Sequence, residues 1–200
     1  DHGLGKALDH KLIAKAQAAN VLEAHGLPPL AGTVAGAEKQ LGALVKPVDY
    51  GYVTLNYDKA AVAKSGKALP KTLDDLTQPA YRNWLVVQNP ATSSPGYAFM
   101  LATLAGMGEE KAFDWWAKMR ANGVKVAKGW SEAYYTEFSR NGGAYPVVVS
   151  YASSPAAEVF YSKEKITEAP TASLNLTGGV FQQVEGVALV KGGAQREAGL

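Results

Sequence analysis

Cysteine is absent from the 200 residues, which excludes a disulfide framework, thiolate catalysis and a cysteine-based metal site. A charge excess is missing too. The chain carries 20 basic and 18 acidic side chains, a formal net charge of +2, too small to argue for nucleic acid or an anionic membrane as partner. No apolar run approaches the ~20 residues that cross a bilayer, and Asp1 does not open a signal peptide. The signatures of common catalysts are also lacking. There is no Gly-x-Ser-x-Gly elbow, no phosphate-binding Walker loop, no Gly-x-Gly-x-x-Gly fingerprint and no His-x-x-x-His pair. The three histidines, His2, His10 and His25, all lie near the N-terminal end, away from the serine-rich stretches.

What is present is an ordinary globular composition, 47% hydrophobic and 19% charged, enough apolar material for one large domain or two small ones. Helical spacing of Leu8, Leu12, Ile13, Ala16, Ala19 and Leu22 predicts a helix over 8–24, with Asp9 a candidate cap. Residues 26–45 are rich in Gly, Pro and Ala and read as loop. Alternation in Val48–Tyr57 predicts a strand, and Thr72 signals a short helix ending near Leu76. From there strands and helices alternate: a strand at Leu85–Gln88, a helix from Tyr97, an amphipathic helix over 109–122, and a strand over 124–127. A helix from Trp130 to about Arg140, a strand over 145–151 and a helix through Phe160 follow. A strand over 179–190 comes last, with a helix beginning at Gln195. Such alternation argues an α/β layer fold.

Three strand-to-helix junctions share one chemistry: Thr92-Ser93-Ser94-Pro95-Gly96, Lys128-Gly129-Trp130-Ser131, and Tyr151-Ala152-Ser153-Ser154-Pro155. In each, hydroxyls and free backbone N–H groups stand at the positive end of a helix dipole, a setting for phosphate, sulfate or carboxylate. The bland alternative is a set of capped helices with no ligand, Ser93 or Ser94 serving as cap and Pro95 as first helical residue. Open α/β sheets bind ligands beyond the C-terminal strand ends, so convergence of the three junctions on one edge would favour a cleft.

Several stretches, in order, resemble the thiamine-type substrate-binding proteins of ABC transporters, a branch of the type II periplasmic binding proteins. They are Leu8-Asp9-His10-Lys11-Leu12, Val48-Asp49-Tyr50-Gly51-Tyr52, Asn56-Tyr57-Asp58-Lys59, Asn89 to Gly96, Lys128 to Tyr134, Ser150 to Ala156, and Phe181 to Glu185. The resemblance implies a two-lobe α/β fold with hinge-crossing strands and one lobe incomplete, the chain being an internal piece of a longer protein. Residues 1–45 would be a remnant of the first lobe, 46–59 a hinge-crossing strand, 60–172 the second lobe, and 173–200 the return crossover. It also implies a solute-binding component of an import system rather than an enzyme. Such a protein is periplasmic or otherwise extracytoplasmic, its signal peptide outside this chain, with ABC permease subunits as partners and no cofactor. The implied ligand is thiamine, a thiamine phosphate or a similar small organic solute. Position by position, Ser93 and Ser94 match the family's anion loop, Trp130 a pocket-lining indole, and Tyr151, Ala152, Ser153 and Ser154 a third ligand-contacting turn. One position departs: Ala157 follows Ser-Pro-Ala where the thiamine-binding pattern carries a stacking aromatic ring.

Two other readings stay open at this level. Tyr134-Tyr135 is similar to the paired phenolates of ferric-iron-binding siblings, hard oxygen donors for a hard cation. Neighbouring helical residues point ~100° apart, so both reach one metal only at an irregular helix end. A serine hydrolase needs a histidine brought from the N-terminal residues to one of the serine junctions.

Overall fold

The structure, a computed structural model, describes residues 18–24, 44–194 and 197. The chain divides into two compact units, Asp1–Tyr50 with Val184–Leu200, and Gly51–Gln183. In the first, β1 (Leu22–Glu23) pairs antiparallel with β8 (Leu189–Val190), and Lys191 donates to Asn20 Oδ1 at 2.7 Å. The helix expected over 8–24 therefore does not reach its end. Asn20 takes a left-handed conformation, φ 54°, which stops a helix, and β1 follows. The earlier part of that helix, the candidate cap Asp9, residues 25–43 of the expected loop and nearly all of the helix expected from Gln195 lie outside the described residues.

In the second unit β3 (Leu85–Gln88) lies between two parallel neighbours, β4 (Lys125–Ala127) on one side and β5 (Val147–Tyr151) on the other. β5 then pairs antiparallel with β2 (Lys46–Asp58), and β2 with β6 (Thr171–Leu174), giving the order β4-β3-β5-β2-β6. β7 (Phe181–Val187) also pairs with β2. All four residues of β3 are buried. A parallel strand covered on both faces needs a continuous apolar run rather than alternation, and Leu-Val-Val supplies it.

Helices cover one face. α1 (Lys59–Ser65) is capped by the Asp58 carboxylate, which accepts from the N–H groups of Ala60 at 3.0 Å and Ala61 at 3.2 Å. α2 (Ser94–Met107) and α3 (Glu109–Ala121) bring Phe99, Trp115 and Met119 against Leu85, Val87, Val147 and Val149. Trp115 is a core residue that donates to the Leu73 carbonyl at 2.8 Å, whereas Trp116 is half-buried and bonds Thr103 Oγ1. The alternate strand residues, Val86 and Val148, face Ala133, Tyr134 and Phe138 on the opposite side, as the period of two requires.

The helix expected from Trp130 to Arg140 is broken. One turn, α4 (Trp130–Glu132), passes into a π-helical turn, Ala133–Glu137, then an extended Phe138 and a 3₁₀ turn, Ser139–Asn141. Phe138 N–H bonds back five residues to Ala133 at 3.0 Å. Ala133 and Phe138 are both fully buried on the sheet, and in an α-helix positions five apart point about 140° from one another. The π turn brings them to one face. Tyr145 joins Phe138 in an isolated bridge, so the strand expected from 145 starts at Val147. The expected strand over 179–190 is two, β7 and β8, and the expected helix at 72–76 is a 3₁₀ turn, Asp74–Thr77. Thr72 still caps it, accepting from Asp75 N–H at 3.1 Å, while Asp75 accepts from Lys71 and Thr72 N–H groups. Those backbone bonds hold the Asp75 carboxyl below the usual carboxylate range.

Candidate functional site

The register of the parallel strands fixes where the three junctions go. Gln88, the last residue of β3, is paired with Ala127, the last of β4, and Val86 with Val148 of β5. The C-terminal ends of β4, β3 and β5 therefore lie side by side, and the chain leaves each into one of the hydroxyl-bearing junctions. The first two are also stitched together: Asn89 N–H donates to Ala127 O at 2.8 Å and Thr92 Oγ1 to Lys128 O at 2.6 Å.

In the first junction Ser93 occupies the N-cap position with extended backbone, φ −141° and ψ 127°, but its side chain makes no capping bond. Ser94 is the first helical residue and Pro95 the second, one place later than expected. Ser93 is buried and Ser94 half-buried. No acidic side chain occupies the first turn of α2, so its N-terminal dipole is not neutralised by its own helix. Gly96 lets this end of α2 sit down on β3: a Cβ there would lie 2.4 Å from the Gln88 carbonyl oxygen. Gln88 itself donates through Nε2 to Val149 O at 2.8 Å, while its Oε1 is buried without a hydrogen-bond partner among the described residues.

The second and third junctions meet through a residue that sequence reasoning passed over. Trp130 Nε1 donates to Ser150 Oγ at 2.8 Å, and Ser150 Oγ shares a 2.8 Å hydrogen bond with Ser154 Oγ. Ser154 opens α5 (Ser154–Phe160) and also accepts from Tyr151 N–H at 3.3 Å. Its hydroxyl is thus committed inside the protein. Ser153 precedes α5 in helical conformation without a side-chain capping bond and is exposed. Ala152 is exposed as well, its N–H bonded to Tyr52 O at 2.8 Å. Tyr151 is half-buried, its carbonyl accepting from Asn56 Nδ2 at 3.0 Å. A polar serine ending the run Val-Val-Val-Ser was the signal for Ser150; nothing in the sequence linked it to an indole twenty residues away.

Trp130 is half-buried, with the Tyr134 ring stacked on it at 4.8 Å and 19° and the Tyr135 ring edge-on at 5.3 Å. Tyr134 is buried and its hydroxyl donates to Glu158. Burial, then the bonded carboxylate, push the Tyr134 phenol far above the ordinary tyrosine value, so it stays protonated and donating. Tyr135 is 59% exposed. The two phenols are thus divided between core and surface, with ring planes 79° apart, and do not form a paired iron ligand in this arrangement. No group of three His, Cys, Asp or Glu side chains suited to a metal occurs among the described residues. None of their helices is long and apolar enough to cross a membrane. At the second junction Glu132 accepts from Lys128 N–H at 2.9 Å, so the edge formed by β4, β3 and β5 offers the N–H groups that open α2, serine hydroxyls and a half-buried indole, equipment for holding a polar, partly aromatic small molecule.

Residues 1–167 match the family model described as bacterial extracellular solute-binding protein. The chain is 32% identical over 178 residues to the thiamine-binding periplasmic protein of Salmonella typhimurium, covering 89% of this chain and 50% of that protein. It is 34% identical over 152 residues to the Escherichia coli K12 protein of the same name, covering 76% and 42%. It spans about half the length of the curated relatives it matches. Among solved structures, a periplasmic thiamin binding protein superposes with TM-score 0.73 at 27% identity, covering 96% of this chain and 56% of that one. The fructose-6-phosphate-bound AfuA of Actinobacillus pleuropneumoniae gives TM-score 0.71 at 20% identity over 94% and 57%, a likeness of fold alone. By family match and by fold, this chain belongs to the bacterial extracellular solute-binding proteins, with the type II periplasmic binding protein-like α/β architecture.

Proposed function

We propose that this chain is part of the solute-binding component of an ABC import system, acting outside the cytoplasm and handing its ligand to membrane permease subunits. It binds its ligand without transforming it. The ligand in this reading is thiamine or a thiamine phosphate. The carrying observation is the side-by-side ending of β4, β3 and β5, which gathers three hydroxyl-bearing junctions at one sheet edge. Ser93 and Ser94, with the N–H groups that open α2, suit a phosphate or hydroxyl end. Trp130, backed by Tyr134, offers a π face to a cationic ring such as thiazolium, an attraction of about 0.5–2 kcal/mol. Tyr151, Ala152 and Ser153 form the neighbouring wall, and Ser154 shapes it from behind. The names of the relatives at 32% and 34% identity support the same ligand class. Ala157, half-buried on α5, supplies no ring, so aromatic contact from this wall rests on Trp130 and Tyr151.

Calorimetric titration of thiamine, its phosphates and ferric iron tests the reading. Saturable binding of a thiamine species, weakened in Ser94→Ala, is expected. Binding of ferric iron with no response to thiamine would replace the assignment.

A further inference from the structure

Glu158 is a half-buried carboxylate that belongs to none of the three junctions, yet it is among the most heavily engaged side chains of the unit. Its Oε1 accepts from the Tyr134 hydroxyl and from Thr171 Oγ1 at 3.0 Å, and its Oε2 from Arg140 Nε at 3.2 Å. Three groups from three segments converge on one carboxylate, in which both oxygens are used. Glu158 also stands four residues after Ser154 on α5, and residues so spaced share a helix face.

We infer that Glu158 is a positioning residue for Trp130: helix α5 grips the Trp130–Tyr134 ring pair at two points, through Ser154 at one end and Glu158 at the other. At the first point Ser154 Oγ bonds Ser150 Oγ, which accepts the indole N–H. At the second, Glu158 anchors the Tyr134 hydroxyl, and the Tyr134 ring lies flat on the indole at 4.8 Å. An indole held only by its N–H can still pivot about that bond. A stacked ring removes the pivot only if that ring is itself fixed, and Glu158 fixes it. The Tyr134 phenol is held protonated by its burial and its carboxylate partner, so the anchor stays in place across the neutral range. Thr171 ties the same carboxylate to β6, and Arg140 neutralises it. One face of Trp130 is thereby committed to Tyr134, and the indole remains half-buried with Tyr135 edge-on to it. The consequence for binding, though not the positioning itself, rests on the thiamine-site reading above: a pre-oriented indole spends less conformational entropy when a flat ring docks.

The test is the indole N–H spectrum of the 200-residue chain labelled with ¹⁵N. Its four tryptophans give four resonances, and Trp130→Phe assigns one. Glu158→Ala is expected to shift and broaden the Trp130 signal while leaving those of Trp84, Trp115 and Trp116 in place. Tyr134→Phe, which keeps the stacked ring and removes only the anchor, should shift it in the same sense. The double variant should go no further than either single one, because both remove the same link. Glu158→Gln retains an acceptor oxygen and should return the signal most of the way. An unchanged Trp130 signal in Glu158→Ala, additive shifts in the double variant, or equal movement of all four indoles would each overturn the inference, the last showing a general structural role. In the same samples thiamine affinity should fall several-fold with Glu158→Ala. If the wild-type chain binds no thiamine, the ligand reading falls while the indole spectra still decide the role of Glu158.

Discussion

Gly96→Ala probes the contact that seats the first junction on the sheet. The added Cβ would stand 2.4 Å from Gln88 O, 2.8 Å from its carbonyl carbon and 3.0 Å from its Cβ. Ordinary contact begins at 3.4 Å, so the N-terminus of α2 must lift from β3 by about 1 Å. The nearest obstacle is backbone, so no rotamer change relieves it. Overpacking of this kind costs about 1–3 kcal/mol, and Ala recovers about 0.5–1 kcal/mol of the conformational entropy that Gly sacrifices in a helix. The net expectation, from the middle of both ranges, is a loss of about 1 kcal/mol, or roughly 2–4 °C in melting temperature for a chain of this size. Gly129→Ala is the control for an uncrowded glycine at the same sheet edge: it stands just before α4, with extended φ of −162° and nothing within 4 Å of an added Cβ. Differential scanning calorimetry of wild type and both variants reads the effect. A Gly96→Ala chain that melts at or above wild type would refute the close seating of α2 on β3, and with it the placement of Ser93 and Ser94.

Other expectations concern the links within the site. Thr92→Val removes the 2.6 Å bond to Lys128 O that stitches the first junction to the second. It should cost about 0.5–1.5 kcal/mol in urea unfolding, toward the lower end because Thr92 is exposed. The Tyr134 phenol has a folded value raised above the ordinary 10.0, so the unfolded chain gives up that proton first. The associated stability is fully present below the ordinary value and is lost as pH rises above it toward the folded value. Thermal melts between about pH 9 and 11 should therefore fall less steeply for Tyr134→Phe than for wild type; parallel slopes would contradict the burial of that hydroxyl.

The strands were legible because burial leaves a mark in composition. Leu85-Val86-Val87 and Val147-Val148-Val149 are covered on both faces and read as unbroken apolar runs. Thr171-Ala-Ser-Leu174 was not read as a strand. β6 ends the strand path and is mostly half-buried, so it carries neither a run nor a clean alternation. The three junctions were visible as sequence, but their convergence was not. Adjacency of β4, β3 and β5 is decided by which strands pair, and strand pairing is long-range. The π turn after Trp130 was hidden for a similar reason. Tyr134, Tyr135 and Phe138 fit a helical pattern, and only the demand that Ala133 and Phe138 face one sheet changes the winding. Hydroxyl roles were the least legible of all. Thr92 and Ser154 spend theirs on internal bonds, and Ser93 does not cap the helix it precedes. Composition cannot separate these cases, because each depends on partners between three and thirty-six residues away.

The central claim is that three strand-end junctions form one site for a thiamine-type ligand. Its most direct test is a thiamine titration followed by the amide resonances of Ser93, Ser94 and Ala152 together with the Trp130 indole N–H. The expected result is saturable movement of all four on a single binding curve, with Trp84, Trp115 and Trp116 indoles stationary. Movement confined to other parts of the chain, or separate curves for the three junctions, would contradict it.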